Sequence, residues 1–247
     1  MGLFGRNKDR DGRPSTPGAA GVPQAVRERV EHDLRQKIAQ DPMVGNKLAG
    51  REVLQRMLTV LKNEHGVQVE GVATALGALS GRACHLAARD GVQNQRPEYA
   101  GLGIVQVGGA DGQTYVMGPA INRPLLENAY SVWALVAGYA QSKGAGLPDV
   151  QELAAHGART VGGPEFGRPR YVPGTEPAML PVQYLEVWEP MLTHILPLAP
   201  SPQQWPVVYG LAVQGLFEMT GGQFDLTVLT RVVMDSAIAT SKIPVAP

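Results

Sequence analysis

Two groups of polar residues in this chain have the side-chain types needed to hold a charged small molecule. Asn122, Arg123, Glu127, Asn128 and Ser131 crowd the start of an otherwise apolar stretch, LLENAYSVWALVAGYAQS. A helix N-terminus facing inward can hold an anion, and an arginine beside it supplies a planar fork suited to carboxylate or phosphate. Glu165, Arg168 and Arg170 stand in GGPEFGRPRYVPGTE, residues 162–176. Long connections without regular structure are often functional, and the prolines stiffen this one. If both groups share a cavity, Arg123, Arg168 and Arg170 would grip a small anionic ligand beside Glu127. Each group also has a purely structural reading. The first would be a helix cap plus a buried Glu–Arg pair, and the second a pair of arginines pinning the loop to acidic neighbours.

Other chemistries fail on their mechanics. GGPEFGRP (Gly162–Pro169) imitates the opening of a phosphate-binding loop, but Arg168 stands where the lysine belongs and Pro169 where a hydroxyl would hold Mg²⁺. GLG at Gly101–Gly103 lacks the third glycine of a dinucleotide fingerprint and opens a hairpin. No G-x-S-x-G elbow occurs, and the five histidines show no HExxH spacing. A metal site would need ligands from distant segments, such as His85, His156 and His194. No metal and no cofactor is therefore expected. Cys84 sits among small apolar residues, where a thiol behaves as a small hydrophobe.

The elements that must position these residues are mostly helical. Leu125–Ser142 reads as one broad-faced, largely buried helix, with Asn122 as its N-cap and Pro124 in its first turn. Before it, GLGIVQVGGADGQTYVMG alternates around Asp111-Gly112, the signal of a β-hairpin over about residues 102–117. A lone hairpin is marginal in water, so it must lie on helices, and its free edge could pair with a second copy. Val67–Arg89 is a Gly/Ala helix in which Ala73, Gly77 and Gly81 recur every four residues as a groove, with the Leu125–Tyr139 helix the expected occupant. Val26, Val30, Leu34 and Ile38 mark an amphipathic surface helix, and further helices are read near 48–62, 149–161, 181–195, 206–220 and 225–242. Pro190 must kink or split the one that contains it.

The expected fold is thus mainly α, a single globular bundle of about eight helices with one small hairpin packed on it. The expected boundaries are a flexible N-terminal tail, 1–22, and one helical domain, 23–247.

With 44% hydrophobic and 18% charged residues the chain is globular, and a formal net charge of +0 gives nucleic acid no long-range field. The single cysteine suits a reducing compartment. MGLFGRNKDR lacks a signal-peptide core, and Arg6 breaks the myristoylation pattern. No stretch is long enough for a membrane span, so a cytoplasmic protein without integral membrane contact is expected. The Ala/Gly/Pro/Arg richness suggests a bacterial source. The leading functional reading is a non-catalytic protein-interaction module, with a protein partner or self-association as a homodimer. The alternative is a protein or enzyme binding a small anion at Asn122–Glu127 and the 162–176 loop.

Overall fold

Helix α3 (Val69–Gln93) is built from Gly, Ala and short aliphatics, and from Gly71 to Ala88 only Arg82 and Leu86 escape full burial. So small a helix has no ridge of its own, and its neighbours must come close to exclude water. The computed structural model describes residues 24–245, and the expected tail, 1–22, lies outside them. The chain divides at Gln40/Asp41 into two units. The first contains α1 (Gln24–Gln40), on which Val26 and Val30 are exposed.

In the second unit α3 lies between α9 (Leu226–Ser241) and α8 (Trp205–Met219). Gly77 and Gly81 face α9. A Cβ on Gly77 would stand 2.9 Å from Ser236 Cβ, and one on Gly81 would strike Ala237 O and Thr240 Oγ1. The occupant of the small-residue groove is therefore α9 and not the bulky helix that the sequence suggested. The reason is reciprocal smallness: Ser236, Ala237 and Thr240 let the two backbones approach until Thr240 Oγ1 donates to Ala78 O at 2.8 Å. The bulky helix, α5 (Val132–Ser142), has its own groove in α8, where a Cβ on Gly210 would meet Leu135 Cδ1 at 2.6 Å. Gln214 Nε2 donates to Leu135 O at 2.7 Å and fixes that contact.

Around this centre, α2 (Pro42–Val60) packs on α8 through Gly50 and Leu54, and α6 (Val150–Arg159) packs on α9 with Gly157 over Ile238. Asp149 caps α6 by accepting from Gln151 N at 2.9 Å. The stretch containing Pro190 is split as expected. A 3₁₀ segment, Pro181–Val187, gives way to α7 (Trp188–Ile195), which leaves Pro190 in a first turn where its missing N–H costs nothing. Trp188 stacks on Tyr209 with centroids 5.6 Å apart.

Strands are few. After α2 a miniature antiparallel ladder joins β1 (Lys62–Asn63) to β2 (Gly66–Val67), an element that the sequence did not announce. The expected hairpin is β3 (Val105–Gly108) and β4 (Thr114–Met117), turning at Gly112 with φ +76°. Val116 and Ile104 pack with Ala88, Tyr99, Ala120 and Ile121 on the C-terminal half of α3. The architecture is mainly α, a helical bundle with small β-hairpins on it. No helix among the described residues is long and apolar enough to cross a membrane.

Candidate functional site

The 162–176 loop is carried by the end of α6 and, before Arg170, turns twice on glycines, Gly162 (φ +71°) and Gly167 (φ +70°). This brings Arg170 across α6 onto α9. Its Nη2 donates to Asp235 Oδ1 at 2.8 Å, its Nε to Asp235 Oδ2 at 3.0 Å, and its Nη1 to both Glu152 oxygens at 2.8 and 2.9 Å. Asp235 is buried, with 4% of its side chain accessible, so one guanidinium serves a buried carboxylate and a half-exposed one together. Hydrogen bonds donated to Asp235 and then to Glu152 hold the Arg170 pKa above its ordinary value. Glu152 in turn lies below its ordinary value, chiefly through the Arg170 hydrogen bonds. Arg168 is exposed and donates through Nε to Pro164 O at 3.0 Å, within its own loop. The Glu165 side chain is exposed, and its backbone carbonyl accepts from Arg168 N.

The Asn122–Ser131 region differs from the expected single helix. A short helix, α4 (Pro119–Asn122), follows Gly118, and Arg123–Glu127 then forms one wide π-helical turn. Asn128 N closes that turn on Arg123 O at 2.9 Å. Asn128 leaves the helical region with ψ 154°, and α5 starts only at Val132. Its cap is Ser131, whose Oγ accepts from Ala134 N at 3.1 Å, so the capping role expected of Asn122 belongs to Ser131. Glu127 points to solvent, while Asn122 and Asn128 are half-buried. Arg123 lies over the Tyr99 ring at 5.9 Å, and its Nε is buried without a hydrogen-bond partner.

The structure therefore groups Asn122, Arg123, Glu127 and Asn128 in one turn, and Glu165, Arg168 and Arg170 in one loop. No hydrogen bond or ion pair joins the two groups among the described residues. Arg123 looks toward the end of α3, whereas Arg170 is committed to α6 and α9.

Two further features were not singled out in the sequence. The first is the basic face of α3, where Arg82, His85 and Arg89 follow the i, i+3, i+7 spacing of one helical stripe on a helix whose other charged residues, Glu70 and Asp90, stand near its ends. That spacing was the available signal. The second is the seating of the hairpin. Tyr115 meets Phe166 of the 162–176 loop edge-on, with centroids 4.9 Å apart, and donates its hydroxyl to Asp111 Oδ2 at 2.6 Å. This hydrogen bond is the main cause that holds the Asp111 pKa below its usual range. Among the described residues no cluster of His, Cys, Asp and Glu has the makings of a metal centre.

The hairpin has one covered edge and one open edge. Gln106 pairs with Val116, and Val116 N donates away from β3, to Lys242 O at 2.8 Å. In an antiparallel ladder such a pair exchanges no hydrogen bonds, so the Gln106 N–H also points outward, on the opposite edge. Among the described residues it has no backbone acceptor. Val105 beside it is 54% exposed. No protein-family model, curated protein or solved structure matches this chain.

Proposed function

We propose that the chain is a non-catalytic protein-interaction module that pairs with a second copy of itself along β3. The open outer edge at Gln106 carries this reading. An unpaired strand edge is a template for another strand, and β3 is flanked by neither the charge nor the proline that commonly blunts such an edge. Two copies meeting antiparallel about Gln106 would turn two hairpins into one four-stranded sheet, with Val105 of each copy covered. A contact between four-residue strands is small and belongs to the weak, transient class of interfaces. Neutral charge and a single cysteine fit a cytoplasmic setting with a protein partner and no nucleic acid.

The test is sedimentation equilibrium of the whole chain over a wide concentration range, beside Gln106→Pro. Proline removes only an outward N–H and is tolerated on edge strands, so the hairpin stays folded while the edge loses its donor. The expected result is a concentration-dependent dimer for the parent chain and a monomer for the variant, with matching circular dichroism. A parent chain that stays monomeric throughout, or a variant that dimerises as well as the parent, refutes the reading.

A further inference from the structure

One turn on from Gly81 along α3, the helix end, the hairpin and the Pro244–Val245 segment enclose a recess of about 270 Å³. His85, Arg89, Gln93 and Gln106 supply its polar wall, and Ile104 and Pro244 part of its apolar wall. Arg82 stands one helical turn back, its Nη1 reaching Pro244 O at 3.5 Å. Neither Arg82 nor Arg89 forms an ion pair among the described residues, whereas Arg96 and Arg170 end on carboxylates of other elements. Two guanidinium groups on one stripe, partly buried, repel each other, and the Glu189 carboxylate that bears on Arg82 offsets this only in part. Burial and then the neighbouring Arg89 hold the Arg82 pKa below its ordinary value.

Between them lies His85. It is 4% exposed, lines the recess, and its Nδ1 is buried with no hydrogen-bond partner. Buried polar atoms are almost always paired, so an orphan nitrogen in a residue that lines a cavity needs an explanation.

We infer that this recess is a binding site for a small oxyanion, a phosphate or carboxylate group, gripped by Arg89 and His85 with Arg82 supplying charge from behind. Arg89 offers the two parallel N–H donors that match such a group, and the amides of Gln93 and Gln106 stand on the rim as further donors. The volume admits one oxyanion with a small organic substituent. The site is independent of edge pairing by β3, which uses the outward backbone of Gln106.

The test is isothermal titration of the full chain with inorganic phosphate and, separately, with acetate, up to about 10 mM. Histidine ring resonances are followed by NMR in the same titrations. The expected result is saturable binding of at least one of the two anions, with the His85 resonance shifting along the same isotherm. Which anion binds tells a phosphate site from a carboxylate site. Arg89→Gln should weaken binding by roughly tenfold or more, Arg82→Gln by less, and Arg51→Gln, which removes an equal charge from the exposed face of α2, not at all. The two α3 variants keep the assignment testable if one of them fails to fold. Absence of saturable binding of either anion to the parent chain overturns the assignment. So does equal binding by Arg89→Gln, or equal loss in Arg51→Gln.

Discussion

Arg170 holds Asp235 through three donors: Nη2 to Oδ1 at 2.8 Å, Nε to Oδ2 at 3.0 Å, and its own backbone N–H to Oδ2 at 3.1 Å. Loop and helix are thus joined by main chain and side chain at one carboxylate, which is buried on α9. Removing one partner of a buried pair leaves the other uncompensated. Arg170→Ala is therefore expected to cost about 3 kcal/mol or more in urea unfolding. Arg170→Lys should recover only part of that, since a point charge cannot serve two carboxylates and a fork at once. A loss below about 0.5 kcal/mol for the alanine variant would mean that the pair is not a structural pin.

The two classes of helical glycine give opposite expectations. Gly138 is exposed on α5 and a Cβ there would touch nothing within 4 Å, so Gly138→Ala should stabilise by up to about 1 kcal/mol. Gly81 sits against the backbone of α9, with Ser241 N 2.8 Å from where a Cβ would be. Gly81→Ala gains the same helix propensity but forces α3 and α9 apart, for a net loss of about 1–3 kcal/mol. Thermal unfolding of the two variants side by side reads the difference in sign.

His85 supplies a pH dependence with its own window. Burial first, then the charges of Arg82 and Arg89, lower its pKa from 6.5 to about 4. The unfolded ring therefore takes up a proton before the folded one does. The stability linked to this residue is fully present above pH 6.5 and is lost as the pH falls toward 4, by up to about 3 kcal/mol. Urea midpoints measured through that range should drop for the parent chain and stay flatter for His85→Gln. A parent curve with no slope there would remove the assignment of a neutral, buried His85.

Helix content and the hairpin were legible because their signals are local. Asp111-Gly112 between alternating residues sets the turn, and Asp149 and Asp225 announce the caps of α6 and α9. The identity of neighbours was not legible. The Ala73/Gly77/Gly81 repeat shows that some element comes close, but both α9 and α5 satisfy that demand, and only the mutual fit of Ser236, Ala237 and Thr240 decides it. The break before α5 was missed for a different reason. Leu125–Ser142 keeps helical periodicity straight through Asn128–Ser131, so the pattern cannot reveal that Ser131 competes for the cap. At the candidate site, the residue types of the 162–176 loop suggested either a ligand or a pin. Partners for Arg170 at Glu152 and Asp235 lie 18 and 65 residues away in the chain, beyond what spacing can show.

The near-contact of two glycines has a mechanical consequence. A Cβ on Gly162 would stand 2.6 Å from Ala110 N and 2.8 Å from Gly109 Cα, so the tip of the hairpin is seated on the loop that carries Arg170. Its flank is tied to the end of α9 by the bond from Val116 to Lys242. Neither strand can peel away without unseating that loop, and the loop cannot lift without pulling on Asp235. Hairpin tip, loop and buried carboxylate form a latch with three points of closure, a contiguous unit of the kind expected to open together.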